Sequence, residues 1–590
     1  MRRLSALTAA SLIPTLACGD DGGGGGSGTD GAGTTDGTGG TTGTTGSGTS
    51  TGSSSGTSSG TGTSGSTSSS GSSSTTVDPS SSTSSTGTTG STTDATGTDT
   101  DDIPDYEYEG PTGPETTFEH GVASGDPLAN SVILWTKLSP GPLAGGDLDV
   151  YLEVATDPEM TNRIAAAYYT AREDRNYCFK VEATELSPGT TYYYRFRALG
   201  LASPIGRTRT APADETRVRF AAVSCSNYAY GYFHGYGFLA ARADLDLVLH
   251  LGDYIYEYGD GEYGSTRTCE PPGEIITLAD YRLRYSQYRR DTNLQEAHRQ
   301  HPWITIWDDH EFTNDPEVGG AENHQPATEG DWETRKLNAL QAYDEWMPTR
   351  QGLVGDIYRS LAYGPMAQFV VVDVQRPYLF PDPADGQAGN GRLGREQAEW
   401  LDQEITLLGQ GESGPPRWLV LTQAKTFAPA ATSGNGGSAW DVASRERVLD
   451  AVRDNGIPNF LVVTGDIHQF RASDIPRNAF SGYDPDTGAG SEGVDLVAGA
   501  LTSPGGDTNI NTRPNMFYSN GISKGYMVVD LTPEELRVDF VGTNLVENGS
   551  ATPPAMERWW AGFRVADRTA HLVRTMAAKE PKPNPPPLAP

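Results

Sequence analysis

The chain has 590 residues and carries 43 Lys+Arg against 76 Asp+Glu, a formal net charge of −33. That balance argues against a nucleic-acid-binding surface, which needs a basic footprint. If the protein acts on anionic substrates, metal ions are the source of positive charge that this composition leaves open.

The first residues, MRRLSALTAASLIPTLAC, contain two arginines, an apolar stretch too short to span a bilayer, and small residues before Cys18. This is the layout of an export signal over residues 1–18. The cysteine after TLA points to lipid attachment at Cys18, with simple cleavage as the alternative because Thr15 stands where a lipoprotein signal usually has leucine. The paired arginines are an incomplete match to twin-arginine export. No later segment is apolar enough to span a membrane. The expectation is an exported monomer, anchored at the cell envelope through its lipid or secreted, with no other membrane contact.

Residues 19–115 are rich in Gly, Ser, Thr and Asp, and no Lys or Arg falls between Arg3 and Lys137. With little apolar surface to offset backbone entropy, this segment is expected to be a disordered, self-repelling linker. From Thr116 to residue 212, runs such as VILWTKL, LDVYLEVATD and YCFKVEATELSPGTTYYYRFRALG show strand alternation around turn residues. They predict a β-sandwich, and the LSPGTTYYYR stretch resembles fibronectin type III modules.

The texture changes over residues 213–545. VRFAAVSC, LDLVLHLGD, PWITIWDDHE, FVVVDVQR, RWLVLTQA and PNFLVVTGD are apolar runs ending in polar residues, and helix-period stretches such as LADYRLRYSQYRRDTNLQEAHRQ and DWETRKLNALQAYDEWM lie between several of them. Alternating strands and helices predict an α/β domain that delivers its chemistry at strand ends. Residues 546–590 read as an extension ending in an unpacked proline-rich tail.

Four of the runs end in candidate metal ligands: Cys225, Asp253, Asp309 with His310 and Glu311, and Asp466 with His468. One such aspartate alone is an ordinary turn former. The four together point to a metal site.

These motifs, GVASGDP…VILWTKL, SC, HLGDYIYE, WDDHEF…ND, VVDVQR and VVTGDIH, occur in an order that resembles the PhoD-type alkaline phosphatases, within the calcineurin-like and purple-acid-phosphatase group. The resemblance covers about residues 118–544. It implies a metallophosphatase fold of two mixed sheets sandwiched by helices, preceded by the fibronectin-III-like β-sandwich, with ferric iron and calcium as cofactors and phosphate esters as substrates.

Cys225 stands where the wider group has aspartate, and a thiolate favours a transition metal. Asp253 corresponds to the carboxylate bridging two metals. Tyr256 would come round to the same side if the chain turned helically, and a phenolate suits ferric iron. His468 matches the iron-side imidazole. Asp253, Asp309 and Asp466 form an oxygen set suited to calcium. Tyr254 and Tyr258 are expected to pack.

By resemblance, His310 neutralises or protonates the leaving alkoxide. Glu311 either orients it or lies at the surface. Arg376 either holds phosphate oxygens or pairs with Asp373. The implied mechanism is in-line attack of metal-activated hydroxide on phosphorus. Cys178 and Cys269 could form a disulfide pinning the loop after the Asp253 turn to the first domain.

The expected substrate is a small-molecule or lipid phosphate ester. A phospholipase D-like phosphodiesterase is the nearest alternative. A surface binding module that kept the fold and lost catalysis is a weaker one, because every PhoD-type ligand position is filled.

Overall fold

The structure, a computed structural model, describes residues 103–350, 356–382, 391–411, 414–434, 436, 439–506 and 512–590. The expected export signal with Cys18, and the linker as far as residue 102, lie outside the described residues. Packed chain begins earlier than Thr116. The Tyr106 ring lies 5.6 Å from that of Tyr151, Arg163 pairs with Asp105 at 2.8 Å, and the Gly113 N–H donates to the Leu199 carbonyl at 2.9 Å. The DYEY stretch supplies aromatic surface that the Ser/Thr/Gly segment lacks, so it can be held against a sheet.

Among the described residues the strands form a ten-stranded, a seven-stranded and a five-stranded sheet with one two-stranded ribbon. The five-stranded sheet comes from the N-terminal region: Leu148–Ala155, Arg163–Ala171, Thr191–Ala198, Leu201–Ala202 and Gly206–Arg209. Three further N-terminal strands, Val122–Gly125, Val132–Lys137 and Cys178–Ala183, extend the ten-stranded sheet instead. Ser124 and Gly125 stand in parallel register with Pro302 and Trp303. The N-terminal β-sandwich thus has its own core, built on Leu134, Leu152, Phe179 and Phe196, yet shares a sheet with the chain that follows.

The two large mixed sheets face each other, with Phe220 of one edge-on to Phe369 of the other at 5.3 Å. In the ten-stranded sheet, Val218–Val223, Leu247–Leu251 and Pro302–Ile306 are neighbours and parallel. In the seven-stranded sheet, Ala367–Val371, Trp418–Thr422 and Phe460–Thr464 are also neighbours and parallel. These six strands are buried along their whole length, as parallel strands covered on both faces must be. Helices Gly394–Gln410 and Val442–Asp454 lay Leu401, Ile405, Val448 and Leu449 on the seven-stranded sheet. This is the expected α/β architecture of two sheets flanked by helices.

The helical stretch from 278 to 300 proves to be two helices, Leu278–Arg289 and Thr292–Gln300, because Asp291 accepts from the N–H groups of Asn293 and Leu294 and restarts the helix. Helix Trp332–Trp346 is capped in the same way by Asp331. No helix among the described residues is long and apolar enough to cross a membrane.

The end of the chain departs from expectation. Arg558–Ala566 pairs with Glu535–Thr543, and Val573–Thr575 adds the edge of the ten-stranded sheet. The proline-rich tail is packed. Tyr193 donates to the Pro587 carbonyl at 2.6 Å, Gln300 and Ala589 exchange hydrogen bonds of 2.9 and 3.1 Å, and Lys582 pairs with Asp246 at 2.5 Å. Prolines bring no N–H to satisfy, so donors aimed at a few carbonyls suffice to hold the segment.

His120 illustrates how burial sets the protein's response to acid. It is 2% exposed, with Nε2 2.8 Å from the Ser286 hydroxyl. Burial, aided by Lys137, Arg289 and Arg290, lowers its pKa from 6.5 to about 2. The unfolded chain therefore binds this proton first, and the stability it contributes, full above pH ~6.5, is lost progressively on acidification. Urea unfolding should show the native chain losing about 2 kcal/mol more than His120→Gln between pH 7 and pH 5. Equal losses in the two proteins would mean that His120 is protonated in the fold.

Candidate metal centre

Five strands deliver the site. Cys225 follows Val218–Val223, Asp253 follows Leu247–Leu251, and Asp308 and Asp309 follow Pro302–Ile306. From the facing sheet, Lys425 follows Trp418–Thr422, and Asp466 and His468 follow Phe460–Thr464. All lie at carboxyl ends, where parallel sheets present their loops.

The backbone leaves three of these strands abruptly. Cys225, Asp253, Asp466 and His468 have φ of 58°, 56°, 69° and 56°. Left-handed conformations at non-glycine residues cost of order 1–3 kcal/mol each and cluster where function demands a particular side-chain direction. Gly252 and Gly465 allow the strand ends to meet. A Cβ on Gly252 would stand 2.5 Å from Asp308 Cβ, and one on Gly465 would stand 2.7 Å from the Leu251 carbonyl oxygen.

Three groups of candidate ligand atoms lie within 4.8 Å of one another: Cys225, Asp253 and His468; Asp253, Asp309 and His310; and Asp308, Asp309 and Asp466. Tyr256 joins the first. Its hydroxyl donates to Asp253 Oδ2 at 3.1 Å and lies 3.1 Å from His468 Nε2. The chain reaches this position through a bend after the left-handed Asp253, not through a helical turn.

Burial, reinforced by Asp253, pushes the Cys225 thiol and the Tyr256 phenol well above their ordinary pKa values, and burial with neighbouring carboxylates raises Asp253 to about 7. Such a set of acids ionises together only beside a cation.

His310 is placed by a residue the motif reading passed over. Its Nδ1 lies 2.7 Å from Glu257 Oε2. Burial opposes a charge on His310, but Glu257, Asp253 and Asp309 outweigh it and hold the pKa well above the usual value. Glu257 is itself fixed by the Asn314 N–H at 2.8 Å and the Asn323 amide at 3.0 Å.

Glu311 neither orients His310 nor lies at the surface. It is fully buried and accepts from the N–H groups of Asp253, Tyr254 and Asp308, tying two ligand loops together. Arg376 is not brought to the cluster. As the first residue of the short helix Arg376–Leu379, it turns its guanidinium to Asp356 and Glu396 rather than to Asp373. Tyr254 packs between Tyr285 and Tyr288, whereas Tyr258 stands beside His310, with ring centroids 5.6 Å apart.

Cys178 and Cys269 are both free. Cys178 opens a strand near Lys137 and Glu345, and Cys269 lies by Asp260 and Arg284, so the two thiols have separate surroundings.

The two halves of the centre differ in what they can hold. Cys225, Asp253, Tyr256 and His468 offer sulfur, nitrogen and oxygen donors suited to a transition metal. Asp253 Oδ1 is buried without a hydrogen-bond partner, as a ligand oxygen would be. The oxygen set fits calcium by donor type, but a lysine already faces part of it. Lys425 Nζ lies 2.5 Å from Asp466 Oδ1 and 3.1 Å from both Asp308 Oδ2 and Asp309 Oδ1. Neither Asp308 nor Lys425 was singled out by motif, although Lys425 sits three residues past a buried strand, the same place that supplies acids elsewhere.

The sequence and fold have known relatives. The PhoD-like phosphatase family matches residues 220–540, and the PhoD-like phosphatase N-terminal domain matches residues 107–212. Alkaline phosphatase D of Bacillus subtilis (strain 168) is 36% identical over 465 residues, covering 72% of this chain and 77% of that protein. A solved structure of PhoD superposes with a TM-score of 0.69 at 32% identity, covering 80% of this chain and 94% of the other. The purple acid phosphatase PPD1 from yellow lupin (Lupinus luteus) seeds shares the fold at 12% identity, with a TM-score of 0.50 over 76% of this chain and 73% of its own. With strand-end ligands and both regions matched, the chain belongs to the PhoD-like phosphatase family, whose members are hydrolases of phosphoric esters.

Proposed function

We propose that the protein is an exported, metal-dependent phosphatase that cleaves phosphate mono- or diesters by in-line attack of activated water on phosphorus. The observation that carries this reading is the meeting of Cys225, Asp253, Tyr256 and His468 at strand ends beside His310. In it, those four residues hold a ferric ion. When bound, the ion supplies Lewis acidity that acidifies water near neutral pH and offsets phosphate charge.

The chain's own groups do the remaining work. Glu311 fixes the Asp253 and Asp308 backbones, so the donors are set before substrate arrives. Glu257 accepts the Nδ1–H of His310, which leaves Nε2 to face the cluster and protonate the departing alkoxide. No covalent phosphoenzyme is needed. Arg376, engaged with two surface carboxylates, takes no part.

Iron-loaded protein should hydrolyse at least one of p-nitrophenyl phosphate, bis(p-nitrophenyl) phosphate and phosphatidylcholine, and the ranking of the three assigns the substrate class. Iron bound with all three untouched would overturn the hydrolase reading. Export with lipid attachment at Cys18 is supported by the MRRLSALTAASLIPTLAC layout. Mass spectrometry of the mature N-terminus should find a lipid-modified Cys18, and an unmodified processed terminus would leave simple secretion.

A further inference from the structure

We propose that Lys425 is the second cation of this centre: its ammonium stands where the oxygen-rich half would otherwise hold a metal ion, so the chain binds one transition-metal ion there and no calcium. This rests on reading the site as a metallophosphatase centre.

Asp308, Asp309 and Asp466, carboxylates that calcium would need, each turn one oxygen to the Lys425 ammonium. Asp308 accepts from Gln375 through Oδ1 at 2.6 Å and faces Lys425 through Oδ2. Asp309 accepts from the Asp315 N–H through Oδ2 at 3.1 Å and faces Lys425 through Oδ1. Asp466 meets Lys425 through Oδ1. Calcium would draw its oxygens around the point where these three carboxylates converge, and the ammonium occupies that point.

Nor is the ammonium free to leave. The Lys425 side chain is 8% exposed, and its own N–H donates to Gln423 Oε1 at 2.8 Å, which fixes the backbone from which it projects. Withdrawing it would strand a buried charge beside unpaired carboxylates. A calcium ion added next to it would be a dication against a cation across a few ångströms of low-dielectric interior.

The two halves of the centre are therefore balanced by different means. Sulfur, phenol and imidazole on one side call for a metal, while three carboxylates on the other already have a fixed positive charge. Lysine is also a point-charge partner for phosphate oxygens, so the ammonium can offset charge on a bound ester as a second ion would.

The test is metal stoichiometry and calcium response of the full-length iron-loaded protein. Wild type should carry about one iron per chain, and millimolar calcium should leave its melting temperature and turnover unchanged, as should removal of calcium with EGTA. Lys425→Met, of similar length without the charge, should gain one tightly bound calcium relative to wild type and become calcium-stabilised. Stoichiometric calcium in iron-loaded wild type, or a Met variant that gains none, would overturn the proposal. If Lys425→Met does not fold, the wild-type titration decides alone: a calcium-dependent rise in melting temperature, abolished by EGTA, refutes it. Absence of iron together with absence of hydrolysis would instead defeat the metallophosphatase reading on which it stands.

Discussion

If Cys225, Asp253, Tyr256 and His468 hold iron as proposed, Cys225→Ala is expected to give a folded protein that no longer retains it. Cys225 lies at the end of a fully buried strand, and its side chain contacts ligands rather than the main packing layers, so secondary structure should be kept. Loss of an outer-shell partner typically costs about 10–100-fold in metal affinity, and loss of a thiolate ligand should cost more. With the Lewis acid gone, about 4 kcal/mol of transition-state stabilisation goes with it, or about 10³-fold in turnover.

Elemental analysis and circular dichroism of the same preparation separate metal loss from unfolding. Iron retained at wild-type stoichiometry would remove Cys225 from the centre. Tyr256→Phe provides a second readout, because tyrosinate bound to ferric iron gives a charge-transfer colour. The variant should be colourless even where some iron remains, and a persistent visible band would take Tyr256 out of the ligand set.

The strand-end acids were legible because a buried parallel strand is a run of apolar residues that stops where its loop begins. Cys225, Asp253, Asp309, Asp466 and His468 are all marked in that way. Glu257 and Lys425 were not, and the reason is geometric. Glu257 stands six residues past its strand, beyond the left-handed Asp253, and Lys425 three past its own in a loop fixed by Gln423, and no hydrophobic period reports which way either loop turns a side chain. Arg376 went the other way: its neighbours Asp356 and Glu396 lie 20 residues before and after it.

Long-range pairing hid two larger features. The change of texture near residue 213 is real, but Val122–Gly125 pairs with Pro302–Ile306, so one sheet runs through both regions. The proline-rich end looked unpacked because composition reports how little it can bury, not whether Tyr193, Arg299 and Gln300 aim donors at its carbonyls.

Replacing His310 by alanine should lower turnover by about 10²–10⁴-fold on esters with poor leaving groups, the usual worth of a general acid. The loss should shrink on aryl esters such as p-nitrophenyl phosphate, whose phenolate departs without a proton. Equal losses on both substrates would mean that His310 serves binding or metal retention instead.

Glu257→Gln tests how the acid is held. The substitution keeps the side chain's size but removes the carboxylate 2.7 Å from His310 Nδ1, one of the charges that keep the imidazolium protonated. Its loss lowers the His310 pKa. A general acid works only while protonated, so the alkaline limb of the pH–rate profile should move to lower pH in Glu257→Gln. If Glu257 acts only through His310, Glu257→Gln added to His310→Ala should cost nothing further, a fully non-additive cycle. Additive losses would assign Glu257 a separate task, through the Asn314 and Asn323 contacts that it also makes.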